Sequence, residues 1–188
     1  MANETRIREA LDRRAYDEAA TEAIRAFGPQ ILGYLSRVLG SRDAAADAFS
    51  LFSEQLWRGM PRFEGRSSVR VWAYRVAWTA AQRVAGEGYR QRRTRLRTSM
   101  ASRLADEVLS AAAGGSPERD AMDELRGALT PEERALLVLR LDHELPWAEV
   151  AEMMGRSGSP PDAAALRKRF ERLKEKLATL ARARGLIP

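Results

Sequence analysis

FEGRSSVRVWAYRVAWTAAQRVAGEGYRQRRTRLR, residues 63–97, is the stretch around which the rest of the chain is read. It opens on a short polar loop, Glu64-Gly65-Arg66-Ser67-Ser68. A helical pattern follows, then a basic run with Arg90, Arg92, Arg93, Arg95 and Arg97. At about 100° per residue, Val69, Ala73, Val76, Ala80 and Val84 share one helix face. Tyr74, Arg75, Trp78 and Gln82 point broadly the other way. An aromatic and arginine face suits nucleic acid, because rings stack on bases and guanidinium groups pair with phosphates. The alternative is that Trp78 packs on a neighbouring helix and the arginines are solvated. The basic run adjoins the aromatic helix, which points Arg90, Arg92 and Arg93 toward phosphate.

Composition bounds the rest. A chain of 188 residues is one medium domain or two small ones, and 45% hydrophobic residues are enough for a core. The net charge of +6 points to an acidic polymer or surface as partner. With no cysteine there is no disulfide, thiol catalysis or Cys-based zinc site, which fits a reducing cytoplasmic setting. A single histidine, His143, cannot build a His-based metal cluster, so no metal or cofactor is expected. No apolar run approaches transmembrane length, and the charged N-terminus is not a secretory signal. Strand-like alternation is scarce, so the expected fold class is all-α.

Upstream of the opening stretch, residues 3–26 read as one helix. Gly28-Pro29 then interrupts the pattern and a second helix follows, with Ile31, Leu35 and Val38 apolar. Gly40 is a natural stop and Ser41 a cap for a helix over 42–59. That helix carries Ala45, Phe49, Phe52, Leu56 and Trp57, with Asp43, Asp47, Ser50, Glu54 and Gln55 as its polar positions. No base, nucleophile or ligand set accompanies Asp43, Asp47 and Glu54, so they read as helix-surface acids and not as a catalytic site. Downstream, residues 98–128 turn rich in Ala, Ser, Asp and Glu and break near Gly114, as a linker would, with room for short helices over 101–112 and 117–129.

The last third is strongly patterned. Thr130-Pro131-Glu132-Glu133 joins a cap, a first-position proline and first-turn acids. Pro146 opens a short helix with Trp147, Val150, Ala151 and Met154 on one side, and Gly155 ends it. Ser159-Pro160-Pro161-Asp162 has capping-box spacing and starts a longer helix whose stripe is Leu166, Phe170, Leu173, Leu177 and Leu180. Two such helices form a helix-turn-helix pattern, with an extended connection at 156–160. Its second helix would enter the major groove, where Arg167, Lys168 and Arg172 reach base edges or phosphates. A plain helical hairpin with solvated charges is the competing reading.

The motifs together resemble a family. Phe63-Glu-Gly-Arg-Ser-Ser68, followed by Trp72-Ala-Tyr74-Arg75-Val76-Ala77, resembles the second conserved domain of bacterial RNA polymerase sigma factors. The likeness is to the compact extracytoplasmic-function (ECF) type. Residues 129–180, with Val138-Leu-Arg-Leu141 and Trp147-Ala-Glu-Val-Ala-Glu152, resemble the fourth sigma domain. The resemblance implies domains at 1–97 and 129–188, joined by a linker at 98–128. It implies that the helix bearing Asp43, Asp47, Glu54 and Trp57 docks on core RNA polymerase. The loop with Arg66, Ser67 and Ser68 would capture a base flipped from the minus-ten element, and Trp72, Tyr74, Arg75, Trp78 and Thr79 would read and melt promoter DNA. The helix after Pro161 would read the minus-thirty-five element. An anti-sigma partner also belongs to that family picture. The chain departs from the family pattern where Ser50 and Leu51 replace Gln and Glu, and where Trp78-Thr79 replace Arg-Asn.

The expected function is therefore promoter recognition and strand opening with core polymerase, without covalent chemistry. One rival is a polymerase-independent helix-turn-helix transcriptional regulator. The other is a helical enzyme or scaffold whose basic charge is incidental, and the missing catalytic cluster weighs against an enzyme.

Overall fold

A computed structural model describes residues 2–86, 100–111, 125, 127–155 and 161–185. The chain divides into two compact units, Met1–Gly115 and Ser116–Pro188. The described residues contain helices, turns and loops and no strand, in keeping with an all-α fold.

The first unit has five helices among the described residues: α1 (Ala2–Asp12), α2 (Tyr16–Leu39), α3 (Arg42–Gly59), α4 (Val69–Ala85) and α5 (Met100–Ala111). Two expected boundaries differ from the structure. The expected single helix over 3–26 is broken between Asp12 and Tyr16. Arg14 takes a left-handed conformation, φ 58°, while Ala15 N–H donates to Ala10 O at 2.8 Å and Arg14 N–H to Leu11 O at 2.9 Å. This is a Schellman ending made without glycine, so it left no glycine signal. Conversely, Gly28-Pro29 breaks nothing, and α2 runs through it. Pro29 removes one backbone donor but is exposed, so water can satisfy the freed carbonyl. Ala23, Ile24, Ile31 and Leu35 keep both halves of α2 in one core.

The predicted caps form. Gly40 ends α2 at φ 64°, and Ser41 accepts from Ala44 N at 3.4 Å. Ser68, only part of the polar loop in the sequence reading, adds an unexpected cap to α4 by accepting from Val71 N at 3.1 Å.

Residues 100–111 are not linker. They form α5, which packs on α2 and α3 through buried Ala101, Leu104, Ala105 and Val108. Gly28 makes the close approach possible, because a methyl group there would lie 3.2 Å from Phe49 Cζ and 3.3 Å from Val108 Cγ2. The break between units falls after Gly115.

The second unit holds α6 (Pro131–Leu137), a π-helical turn (Val138–Asp142), α7 (Trp147–Met154) and α8 (Ala163–Ala183). Thr130 and Glu133 form a complete capping box: Thr130 N–H donates to Glu133 Oε2 at 2.8 Å, and Glu133 N–H to Thr130 Oγ1 at 3.2 Å. Asp162 itself caps α8, accepting from Ala164 N at 3.0 Å. The expected Ser159 end of that cap and the 156–160 connection lie outside the described residues. Val138, Leu139, Val150, Met153, Leu166 and Phe170 are buried in this unit.

Candidate nucleic-acid and polymerase interfaces

The loop before α4 is fastened at its base and open at its tip. A 3-10 turn, Met60–Arg62, buries Met60. Phe63 then stacks on Trp72, ring centroids 5.1 Å apart, and the Trp72 indole lies where a methyl group on Gly59 would come within 3.0 Å of it. Gly65 takes φ 68°, a left-handed turn that favours glycine. Arg66 and Glu64 are exposed and paired with each other. Exposed pairs of this kind contribute about 0–1 kcal/mol, so an arriving phosphate can displace Glu64 at small cost. Ser67 is half-buried beside them. Ser68 is committed to the cap, where its hydroxyl oxygen accepts and its hydrogen remains available to donate.

Helix α4 corrects the outward aromatic face expected from its periodicity. Tyr74 is 0% exposed and Trp78 2%. Both lie in the core, as do Val69, Ala73 and Ala80 on the opposite side. The reason is that α4 packs on both α2 and α3, which bury most of its circumference. Tyr74 meets Tyr34 edge-on at 5.5 Å, with the Arg70 guanidinium 5.9 Å from the Tyr74 ring centroid. Burial pushes the Tyr34 phenol up, with Tyr74 adding to the shift. Burial also raises the Tyr74 phenol, and Arg70 opposes that shift. Both remain neutral hydroxyls near neutral pH.

The polar row that α4 leaves to solvent is half-buried Arg75 and Gln82, with exposed Thr79 and Arg83; Arg70, Val76 and Val84 are half-buried as well, so the expected apolar stripe is not buried throughout. Trp72 falls on the same side by helical spacing but is 9% exposed under Phe63. Thr79 Oγ1 donates to Arg75 O at 3.0 Å, so its acceptor capacity is what faces outward. Of the promoter-reading set, the structure thus leaves Arg66, Ser67, Arg75 and Thr79 reachable. Ser68 is half-buried at the cap. Arg83 completes the row, a position the sequence reading missed although its spacing from Arg75 and Thr79 carries the signal. Arg90, Arg92 and Arg93 lie outside the described residues.

Helix α3 brings its predicted residues together. Asp43, Asp47, Ser50, Glu54 and Trp57 recur at i, i+4, i+7, i+11 and i+14, one stripe along the helix. Asp43 and Ser50 are exposed, and Asp47, Glu54 and Trp57 half-buried. Phe49, Phe52 and Leu56 on the other side hold the helix to the core. Arg58 pairs with Glu54 at 2.7 Å and Ser50 Oγ donates to Ala46 O at 3.0 Å. The stripe is therefore acidic with an indole at one end, suited to a basic protein surface.

Residues 23–95 match the sigma-70 region 2 family. The match begins inside α2 and takes in α3, the fastened loop and α4. It supports a sigma-70 family factor, a class that initiates transcription and is not an enzyme. A comparison with curated proteins found no match. Region 2 accordingly implies core RNA polymerase and promoter DNA as partners. The acidic α3 stripe and the loop at Gly65 both lie inside the region 2 match, while α5 and the whole second unit lie outside it.

In the second unit, α8 divides its cations. Arg169 approaches Glu132 at 3.8 Å, Lys176 pairs with Glu133 at 2.9 Å, and Lys174 pairs with Glu171 at 2.7 Å. Arg167, Lys168 and Arg172 are exposed. Ion pairing thus ties Arg169 and Lys176 to α6 and its start, while the three residues singled out by the sequence face solvent. Partial burial raises the Glu133 carboxyl, but hydrogen bonds from Lys176 and Thr130 outweigh it and hold the group below its usual range. Among the described residues no group of three acidic or histidine side chains could hold a metal, and no helix is long and apolar enough to cross a membrane.

Proposed function

We propose that this chain is a sigma factor of the ECF type, which takes core RNA polymerase to specific promoters and opens them. It acts in the cytoplasm, where polymerase and chromosome are. The observation that carries the reading is the region 2 match, because it falls on an exposed loop and an acidic helix stripe in one unit. In this reading Asp43, Asp47, Glu54 and Trp57 of α3 dock on core polymerase. Arg66, Ser67 and Ser68 rim a pocket for an extruded base, and Trp72 under Phe63 makes its rigid floor. Arg75 and Thr79 meet the neighbouring strand. Base capture offsets the few kcal/mol, roughly, that unstacking costs.

The second unit supplies upstream contacts. Its helix-turn-helix reading is supported by α7 and α8 in sequence and by exposed Arg167, Lys168 and Arg172. The N-terminal part of α8 enters the major groove, as recognition helices do. An anti-sigma protein enters through the ECF resemblance. The rival, a regulator that works without polymerase, gives the α3 stripe no role. Gel filtration of the full chain with core polymerase separates the two. Co-elution that is lost on reversing Asp47 and Glu54 to Lys supports the sigma reading. Separate elution of the wild-type chain refutes it.

A further inference from the structure

The segment joining α6 to α7 has an unusual backbone. Val138–Asp142 is a π-helical turn, with His143 N–H donating to Val138 O at 3.1 Å and Leu145 N–H to Leu139 O at 3.2 Å. Such turns are rare and recur at functional positions. Glu144 adds a left-handed φ of 51°, a strained conformation for a non-glycine residue.

One side chain spans this segment. Arg140 Nη1 donates to Leu145 O at 2.8 Å, which closes the connection just before α7. The same guanidinium lies over the Trp147 ring, 5.2 Å from its centroid. Trp147 in turn meets Phe170 of α8 edge-on, at 5.5 Å and 72°. Lys174 lies 5.7 Å from the Phe170 centroid. A row of guanidinium, indole, phenyl and ammonium thus links the π turn, α7 and α8. Planar groups in edge and face contact have strong orientational preferences, so such a row resists rotation in a way that aliphatic packing does not.

Rotation is what matters for α8. Arg167 stands three residues before Phe170 and Arg172 two after it. Turning a helix by ~20° about its axis moves a side chain some 5 Å from that axis by roughly 2 Å. That exceeds the roughly 0.5 Å within which a two-pronged contact to a base edge must be held.

We propose that Arg140 is a positioning residue for sequence-specific duplex binding: through Trp147 and Phe170 it fixes the rotation of α8, without itself contacting DNA. The proposal rests on the reading of α8 as the duplex reader. Buried Leu166 and Leu173 and the Lys176–Glu133 and Arg169–Glu132 pairs also seat α8, and the aromatic row adds to them the orientational preference of planar groups.

The test uses the full chain on core polymerase. The probes are a duplex selected from a randomised pool and a scrambled duplex of equal length. Arg140→Met is expected to weaken the selected duplex about tenfold and the scrambled duplex less than twofold. Arg140→Lys keeps a cation and a donor and is expected to stay within threefold of wild type. The slope of log affinity against log salt stays unchanged in Arg140→Met, whereas loss of a phosphate contact lowers it by about one. In an Arg167→Ala background, Arg140→Met adds less than twofold, because the contact it positions is already gone. Wild-type discrimination in Arg140→Met, a reduced salt slope, or fully additive losses overturn the proposal. If Arg167→Ala itself leaves the selected duplex unaffected, the reading of α8 has failed, and the positioning role falls with it.

Discussion

Replacing Trp78 by Ala separates a core residue from a DNA-contacting one. Trp78 is 2% exposed on a helix packed against α2 and α3. Truncating a buried tryptophan costs about 3–5 kcal/mol, counting lost transfer energy and the cavity. The first unit spans Met1–Gly115. At about 2.1 cal/mol/K per residue its unfolding entropy is roughly 0.24 kcal/mol/K, so Tm should fall by about 12–20 °C. Trp78→Phe should cost far less, about 1–2 kcal/mol. It keeps a ring, and it removes an indole N–H that is buried without a hydrogen-bond partner among the described residues. Thermal unfolding followed by circular dichroism, with a permanganate footprint at a temperature where both variants stay folded, reads both effects. A Tm within about 2 °C of wild type, joined to loss of promoter opening, would refute the core assignment and restore Trp78 to the DNA surface.

Leu104→Ala should destabilise the first unit by about 2–5 kcal/mol because α5 is part of its core, and a denaturant midpoint equal to wild type would return residues 100–111 to the linker. Glu133 has a depressed carboxyl pKa, so its contribution to stability is full above its ordinary value near 4.5 and is lost as pH falls through its lower folded value. Glu133→Gln should therefore lower Tm at pH 7 and converge on wild type toward pH 2; an equal loss at both pH values would show that charge is not the cause. Replacing Arg167 and Lys168 by Ala should weaken upstream duplex binding by about 1–3 kcal/mol for each specific base contact, whereas undiminished affinity in a fluorescence titration would mean that α8 presents another face.

The sequence was legible wherever a local signal fixed the outcome. Ser41 and Thr130 cap helices because a side-chain oxygen followed by free backbone donors needs nothing distant. The α3 stripe and the outward cations of α8 were also readable, since each helix has one wet side and so a clear period. Helix α4 was not. Packed by two neighbours, it buries Ala73 and Trp78 alike, and the residue types alone cannot say which face is dry. A short helix near α5 was readable, but its place in the core was not, because it packs on distant parts of the chain, among them Gly28, and an Ala- and Ser-rich segment looks like a linker until those partners are known. Arg14 and Pro29 misled in opposite directions. A left-handed arginine ends a helix without the usual glycine, and an exposed proline leaves a helix intact.

The most direct measurement of the central claim is run-off transcription from a pool of genomic promoter fragments with purified core polymerase. The account predicts transcripts from a defined subset of fragments only when the chain is added, and their loss when Asp47 and Glu54 are both reversed to Lys. Duplex binding by the chain alone, with no transcript from any fragment in the presence of core polymerase, would contradict it.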